Sequence, residues 1–227
     1  MSAAGESPTG DAGARIYMAR HGRTAYNHER RFQGRLPVPL DEVGRAQAQE
    51  LAERATAYDF AVLWCSPLRR ARETADIVAA RVGLEPHEDE RLVETDAGAW
   101  TDRTFAEVQA EAPREFARFA SLDMTFAFPG GESFADQATR VRAAIADIGA
   151  AQTPALVVCH GVVIRLALAD YLPPDEPPPR IANAALIPLG AAAAHAEAIG
   201  TVPAPAGSEP SSTGEHAEGN GDPAIGG

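Results

Sequence analysis

The chain has 227 residues, which is enough for one domain with a sizeable hydrophobic core. Its formal net charge of −12 argues against a nucleic acid or an anionic membrane surface as a partner of the whole protein. The sequence contains no lysine, so a Schiff-base lysine and a phosphate-loop lysine are both excluded.

Predicted elements follow one another in a regular order along the chain. Residues 1–14 are rich in small and acidic side chains, and we expect a disordered tail there without a signal peptide. Apolar runs then predict strands over 15–19, 60–65 and 155–159, with less regular candidates over 184–189 and 194–200. Helical patterns lie between the strands, over 41–57, 67–82, 103–120, 133–149 and 161–172. Residues 202–227 predict a second, acidic, disordered tail, which leaves a folded domain over 15–201.

Several helix ends carry recognisable signals. Pro67 suits the first turn of a helix, and Ser133 with Asp136 resembles a capping box. Pro173 and Pro174, with a further proline run at 177–179, stop the helix that begins after His160. The alternation of strands and helices predicts an α/β fold with a mostly parallel sheet and helices on both faces.

The two cysteines, Cys65 and Cys159, each end an apolar run and have neither metal-ligand nor disulfide spacing. No apolar run reaches the roughly 18 residues that a membrane span needs. These features favour a protein of the reducing cytoplasm, with no membrane partner.

Charged residues directly follow three of the predicted strands. Arg20 and His21 follow the first strand, Ser66 and an arginine-rich helix follow the second, and His160 follows the third. The carboxyl ends of parallel strands share one sheet edge, so we expect these side chains to converge. Two imidazoles with fixed guanidiniums suit a phosphate monoester, because arginine binds phosphate oxygens bidentately and keeps its charge.

Such a pocket supports phosphoryl transfer through a histidine. A neutral imidazole can attack phosphorus with one nitrogen, while the other should donate to a backbone carbonyl. The leaving alkoxide then needs a proton from a semi-buried carboxyl, for which Glu94 and Asp96 are the candidates.

The chain resembles the histidine phosphatase superfamily, which contains the cofactor-dependent phosphoglycerate mutases and related phosphatases, over roughly residues 15–200. The resemblance lies in five motifs, which are Arg20-His21-Gly22, Ser66-Pro67-Leu68-Arg69-Arg70-Ala71 with Thr74-Ala75, Leu92-x-Glu94 with Gly98 and Trp100, Gly130-Gly131-Glu132-Ser133, and His160-Gly161. It implies a three-layer α/β/α sandwich of the phosphoglycerate mutase type, with no metal and no other cofactor.

The resemblance also implies a role for each matching residue. His21 would be the phosphorylated nucleophile, and Arg20, Arg70 and His160 would complete the charged phosphate pocket. Glu94 matches the proton donor of the family. Asn27, Gln33 and Gly161 match positions that contact the phosphate.

Two departures from the family pattern bear on the substrate. Thr101-Asp102 stands where the family commonly has Glu-Gly, at the entrance to the pocket. The segment between Glu94 and Gly130 lacks the long basic insertion typical of the mutases, which favours hydrolysis. A mutase must also hold a second phosphate or carboxylate while its intermediate reorients. Arg103, Arg114 and Arg118 are the cations of this segment that remain available for such a group.

The sequence therefore predicts a metal-independent phosphatase of small phosphorylated metabolites. A bisphosphoglycerate-dependent phosphoglycerate mutase and a catalytically idle protein that binds a partner through the phosphate pocket remain as alternatives. The sequence leaves the individual substrate and the oligomeric state open.

Overall fold

The computed structural model describes residues 15–173, 176 and 178–190. Its five-stranded sheet has the order β3-β2-β4-β1-β5, in which β5 is antiparallel to β1 and the other neighbours are parallel. The strands are β1 (Ile16–Arg20), β2 (Val62–Cys65), β3 (Pro86–Glu88), β4 (Ala155–Cys159) and β5 (Leu186–Leu189). The predicted α/β class with a mostly parallel sheet is confirmed.

Helices occupy most of the connections between these strands. They are α1 (Ala25–Glu29), α2 (Glu42–Ala55), α3 (Arg69–Val82), α4 (Phe105–Glu111), α5 (Pro113–Ser121), α6 (Phe134–Ala150) and α7 (Gly161–Ala169). Short 3₁₀ turns lie at Glu90–Leu92 and Gly98–Trp100.

The single helix predicted over 103–120 is wrong, because two helices occupy this stretch. Pro113 has no N–H to continue a hydrogen-bond ladder, so α4 ends at Glu111 and α5 begins with Pro113 in its first turn. Pro67 also lies outside its predicted helix, since Leu68 is the N-cap of α3. The helix predicted over 161–172 already ends at Ala169.

The start predicted for α6 is confirmed, although its cap differs from a full capping box. The Asp136 N–H donates to Ser133 Oγ at 3.0 Å. The Asp136 carboxylate accepts from the Ser133 hydroxyl rather than from the backbone N–H of Ser133.

Side chains from opposite faces of the sheet form two separate cores. On one face, alternate residues of β1 and β4, such as Met18 and Val157, pack with α6 and α7. On the other face, Tyr17 and Val158 pack with α2 and α3. β1 and β4 are thus buried on both faces, which accounts for their continuous apolar runs. Cys65 and Cys159 are both buried, and burial raises the pKa of the Cys65 thiol to about 12.

A third, aromatic cluster lies beyond the sheet edge and includes Phe32, Trp100, Phe126, Phe128 and Phe134. Phe32 and Trp100 have ring centroids 5.2 Å apart, and Trp100 and Phe128 meet edge to face at 5.3 Å. This cluster fixes the loops that surround the site described below.

The predicted strand over 194–200 and the predicted tails over 1–14 and 202–227 lie outside the described residues. Within the described part of the chain, every helix is too short or too polar to cross a bilayer.

Candidate active site

The two histidines of the predicted pocket lie side by side at the carboxyl edge of the sheet. β1 and β4 are parallel neighbours with Arg20 opposite Cys159, so the next residues, His21 and His160, leave the sheet together. Their ring centroids are 5.2 Å apart, and the side chains are 2% and 0% exposed. The expected convergence is therefore present in the structure.

The hydrogen bond of the His21 ring leaves its Nε2 atom free. Nδ1 lies 2.7 Å from the carbonyl oxygen of Gly22. A carbonyl only accepts, so the proton is on Nδ1 and the Nε2 lone pair is available. Burial lowers the pKa of His21 well below its usual value, and the charges of Arg70 and Arg20 lower it further. The ring is thus held neutral.

His160 is oriented by Ser66, which follows β2. His160 Nε2 lies 2.8 Å from Ser66 Oγ, which accepts from the Leu68 N–H at 3.3 Å. The hydroxyl proton is then free to point at Nε2, which places the imidazole proton on Nδ1. Burial, followed by the charge of Arg70, lowers the pKa of His160 well below its usual value.

Two guanidiniums are fixed beside the histidines by backbone carbonyls. Arg20 Nη1 donates to Ile181 at 2.6 Å, while Arg70 donates to Leu36 at 3.1 Å and to Gly34 at 2.9 Å. Burial lowers the pKa of Arg70 to about 10, so this side chain stays charged at neutral pH. Among the described residues, neither arginine has a carboxylate partner within salt-bridge distance.

Three buried nitrogens in this group have no hydrogen-bond partner among the described residues. They are Arg20 Nε, Arg70 Nε and His160 Nδ1. A buried N–H without an acceptor costs about 1–3 kcal/mol. A tetrahedral anion between the histidines and arginines would supply the missing acceptors, so the residues present suit a phosphoryl group.

Two side-chain amides extend this set of donors. Asn27 Oδ1 accepts from the Thr24 N–H at 3.1 Å and from Asn183 at 3.3 Å, while Gln33 Oε1 lies 3.0 Å from the Thr24 hydroxyl. Both amide oxygens are thereby engaged, and among the described residues both NH₂ groups are without acceptors. Asn27 and Gln33 line the same cavity as His21.

Gly161 begins α7 and also lines the cavity. No side chain caps this helix start. Its first N–H groups are therefore left without side-chain acceptors, at the end of the helix where the dipole favours an anion. A Cβ atom at Gly161 would lie 3.4 Å from Arg20 Nε. This is an ordinary contact distance, so Gly161 lies directly against the Arg20 guanidinium.

Glu94 lines the cavity, whereas its competitor Asp96 does not. Glu94 Oε1 accepts from the Thr95 N–H at 3.0 Å and from Gln137 at 3.3 Å. Asp96 instead caps a turn by accepting from the Gly98 N–H at 3.0 Å. Geometry therefore selects Glu94 as the carboxyl that can reach a bound ester.

The backbone around Glu94 is held by Arg140 of α6. Arg140 Nη1 donates to the carbonyls of Arg91 and Val93 at 2.7 Å each. Its other nitrogens form a bidentate pair with Glu132 at 2.7 and 2.8 Å. This ion pair gives Glu132 of the Gly-Gly-Glu-Ser motif a structural role. Glu132 holds Arg140, and Arg140 in turn positions the loop that carries Glu94.

The loop that carries His21 packs directly against α2. A Cβ at Gly22 would lie 2.2 Å from the Gly44 carbonyl, and a Cβ at Gly44 would lie 1.9 Å from the Arg23 carbonyl. The Gly22 N–H donates to Thr74 Oγ1 at 3.0 Å. The nucleophile is thus held between α2 and α3.

A cavity of about 440 Å³ is lined by the predicted site residues Arg20, His21, Asn27, Gln33, Arg70, Glu94 and Gly161, but His160 is not among its lining residues. Its outer wall is largely aromatic and includes Phe105, Phe116 and Phe119. Two outer arginines, Arg165 and Arg180, line it as well, and the sequence reasoning missed both. Arg165 lies one helical turn beyond Gly161 on the same face of α7, and this spacing is the sequence signal that could have identified it.

The three arginines that the sequence leaves available for a second anionic group do not line the cavity. Arg103 pairs with Glu111, and Arg118 pairs with Asp123 at 2.7 Å. Arg114 is exposed on α5. The cations of the segment between Glu94 and Gly130 therefore lie outside the cavity.

Comparison with known proteins places these features in a family. The family model described as histidine phosphatase superfamily (branch 1) matches residues 16–197. Glucosyl-3-phosphoglycerate phosphatase of Mycobacterium tuberculosis strain H37Rv is 39% identical over 169 residues, which is 70% of this chain and 75% of that protein.

Two further relatives show a similar level of identity. A Salmonella choleraesuis protein that carries the name Probable phosphoglycerate mutase GpmB is 33% identical over 160 residues, or 69% of this chain and 74% of that protein. The solved structure of mycobacterial glucosyl-3-phosphoglycerate phosphatase in complex with VO3 has a TM-score of 0.69 and 37% identity, and it covers 77% of this chain and 91% of that one.

Proposed function

This chain belongs to the histidine phosphatase superfamily and is a phosphatase of that superfamily, and we propose that it hydrolyses phosphate monoesters through a phosphohistidine on His21. The observation that carries the proposal is the His21 ring. Its Nδ1 is tied to the Gly22 carbonyl at 2.7 Å, and its Nε2 is free beside three buried donors that lack acceptors.

In the first step, the Nε2 lone pair attacks phosphorus and a P–N bond forms while the ester P–O bond breaks. The carboxyl of Glu94 gives its proton to the departing alkoxide. In the second step, water attacks phosphorus, Glu94 takes a proton from it, and the P–N bond breaks to restore a neutral His21. Inorganic phosphate then leaves.

The remaining predicted site residues neutralise and orient the phosphoryl group. Arg20 and Arg70 offer their Nε–H groups to its equatorial oxygens, and His160 offers its Nδ1–H. Asn27, Gln33 and Gly161 supply further N–H donors at the rim of the same anion site.

We further propose that the reaction needs no metal or other cofactor, because each charge in the mechanism is met by a protein side chain. The substrate is a small phosphorylated metabolite of the cytoplasm, and the name of the mycobacterial relative makes glucosyl-3-phosphoglycerate the first compound to assay. The catalytic domain spans 15–201, between the two predicted tails. Nucleic acid and membrane partners are not expected.

The test is a rapid-quench experiment with a ³²P-labelled monoester. We expect an acid-labile, base-stable phosphoprotein that forms before inorganic phosphate is released and is unaffected by EDTA. His21→Gln should abolish both the label and the turnover. His87→Gln is the matched control, because His87 is exposed on β3 and lies outside the cavity.

The two alternatives have distinct readouts in the same assay. A mutase would convert 3-phosphoglycerate to 2-phosphoglycerate in the presence of bisphosphoglycerate, with little phosphate released. An idle binding protein would bind vanadate but would form no labelled histidine. Full activity of His21→Gln would refute the proposed nucleophile.

A further inference from the structure

The lining of the cavity carries more positive charge than one phosphoryl group requires. Six arginines line it but only one carboxylate, that of Glu94. Of these six, Arg31 alone is paired with acidic side chains, Glu29 and Asp102, within the described part of the chain. The whole chain has a net charge of −12, so this concentration of cations is a local feature.

Two of the surplus cations lie away from the phosphate end. Arg165 is four residues beyond Gly161 on α7, which places its Cα about 6 Å further along the helix axis. Its Nε donates to the Pro178 carbonyl at 3.2 Å and its Nη2 contacts the Ala120 carbonyl at 3.4 Å. Arg180 has no hydrogen-bond partner for its side chain among the described residues.

These contacts fix Arg165 without neutralising it. Carbonyl oxygens carry no net charge, and a guanidinium has five N–H donors, so three remain for a ligand. Burial, followed by the charge of Arg180, lowers the pKa of Arg165, and the charge of Glu94 only partly offsets this effect. A bound anion would relieve both the repulsion and the burial cost.

The lining of the same cavity also includes apolar aromatic side chains. Phe116 and Phe119 of α5 line it, and α5 ends close to the Ala120 carbonyl that binds Arg165. A molecule that reaches from the anion site to Arg165 therefore crosses an aromatic surface. Its body is an organic ring or chain rather than a string of charges.

We propose that Arg165 and Arg180 form a subsite for a carboxylate on the alcohol part of the substrate, which makes them the residues that determine specificity. The inference rests on the proposed phosphatase function and names the substrate class, a phosphate monoester whose alcohol carries a carboxylate. Arginine suits this role because its planar fork matches both oxygens of the group.

The test compares esters that differ in one charge. Para-carboxyphenyl phosphate is compared with para-carbamoylphenyl phosphate, and 3-phosphoglycerate with its amide. We expect the wild type to favour the carboxylate in each pair by about tenfold or more in kcat/KM. Arg165→Met should remove most of that preference and leave kcat/KM for the amides within about twofold.

Arg180→Gln is the second variant, because its exposed side chain makes no contact that folding would need. It should reduce the preference for the carboxylate in the same direction, with the larger effect on KM. Arg118→Gln is the matched control, since Arg118 is exposed, paired with Asp123 and outside the cavity. This control should keep the wild-type preference.

Equal kcat/KM values for the carboxylate and the amide in the wild type would overturn the proposal. An equal loss for both esters in Arg165→Met would also overturn it, since that pattern indicates a purely structural tether between α7 and α5. Calorimetric binding of both ester pairs to His21→Gln gives the same comparison without turnover. Failure of the phosphohistidine mechanism is therefore distinguishable from failure of the subsite.

Discussion

The buried pair of histidines makes the stability of this phosphatase depend on pH just below the ordinary pKa of histidine, about 6.5. Burial, followed by the charge of Arg70, holds the pKa of His21 and of His160 well below 6.5. In the unfolded chain both rings titrate near their ordinary value, about 6.5. Between that pH and the lower folded-state pKa, the unfolded state binds up to two more protons, so acidification removes stability.

The magnitude follows from the number of histidines. Each extra proton changes the free energy of unfolding by about 1.4 kcal/mol per pH unit, so the pair gives a limiting slope of about 2.7 kcal/mol per pH unit. A fall from about pH 6.5 to about pH 5 therefore removes up to about 3 kcal/mol. The carboxylates with lowered pKa values, such as Asp123 at about 2, contribute only at lower pH.

The assay is urea unfolding at several pH values between about 7 and 5, in buffers without phosphate or other tetrahedral anions. His160→Gln should show about half the slope of the wild type. His87→Gln, which removes an exposed histidine, should show the full slope. A flat profile in the wild type, or an unchanged slope in His160→Gln, would refute the assignment of two neutral buried rings.

Three further predictions test the supports of the site. Gly44→Ala should destabilise the fold by about 2 kcal/mol or more in urea unfolding, because its Cβ would lie 1.9 Å from the Arg23 carbonyl. Gly149→Ala is the control and should be neutral or stabilising. Equal effects of the two substitutions would contradict the packing argument. Arg140→Met should lower kcat about tenfold with little change in KM, because the Glu94 loop loses its tether, and an unchanged kcat would remove that role. Ser66→Ala should weaken vanadate binding about tenfold by freeing the His160 ring, and unaltered binding in a vanadate titration would exclude this positioning role.

The sequence predicts the central strands well because each is buried on both faces. The apolar runs at 15–19 and 155–159 coincide with β1 and β4 to within one residue. β3 was missed because it has three residues, begins with Pro86 and is largely exposed, so neither length nor periodicity marks it. α1 was missed for a similar reason, since it has only five residues and no buried side chain.

The two histidines of the site were predictable because each directly follows a strand of the parallel sheet. A parallel sheet places the residues that follow β1 and β4 at one edge, and the observed pairing of these two strands then places His21 beside His160. Arg140 and Asn183 were not predictable, because they act through backbone carbonyls that only the tertiary structure brings near. Arg180 was not predictable as a lining residue, because only the tertiary structure brings the segment before β5 beside α7.

The last strand of the domain has a consequence for how the enzyme is made. The segment before β5 closes the pocket: the Ile181 carbonyl holds Arg20, and Asn183 binds the His21 carbonyl at 3.0 Å. The Ala184 N–H also donates to the Arg20 carbonyl at 3.0 Å. Every catalytic side chain has been synthesised once the ribosome has added Gly161. The nascent chain then still lacks the segment with Ile181 and Asn183, which holds Arg20 and the His21 backbone in place. Hydrolysis in the cell should therefore begin only when synthesis has passed β5, and a fragment that stops short of it stays inert although all its reactive groups are present.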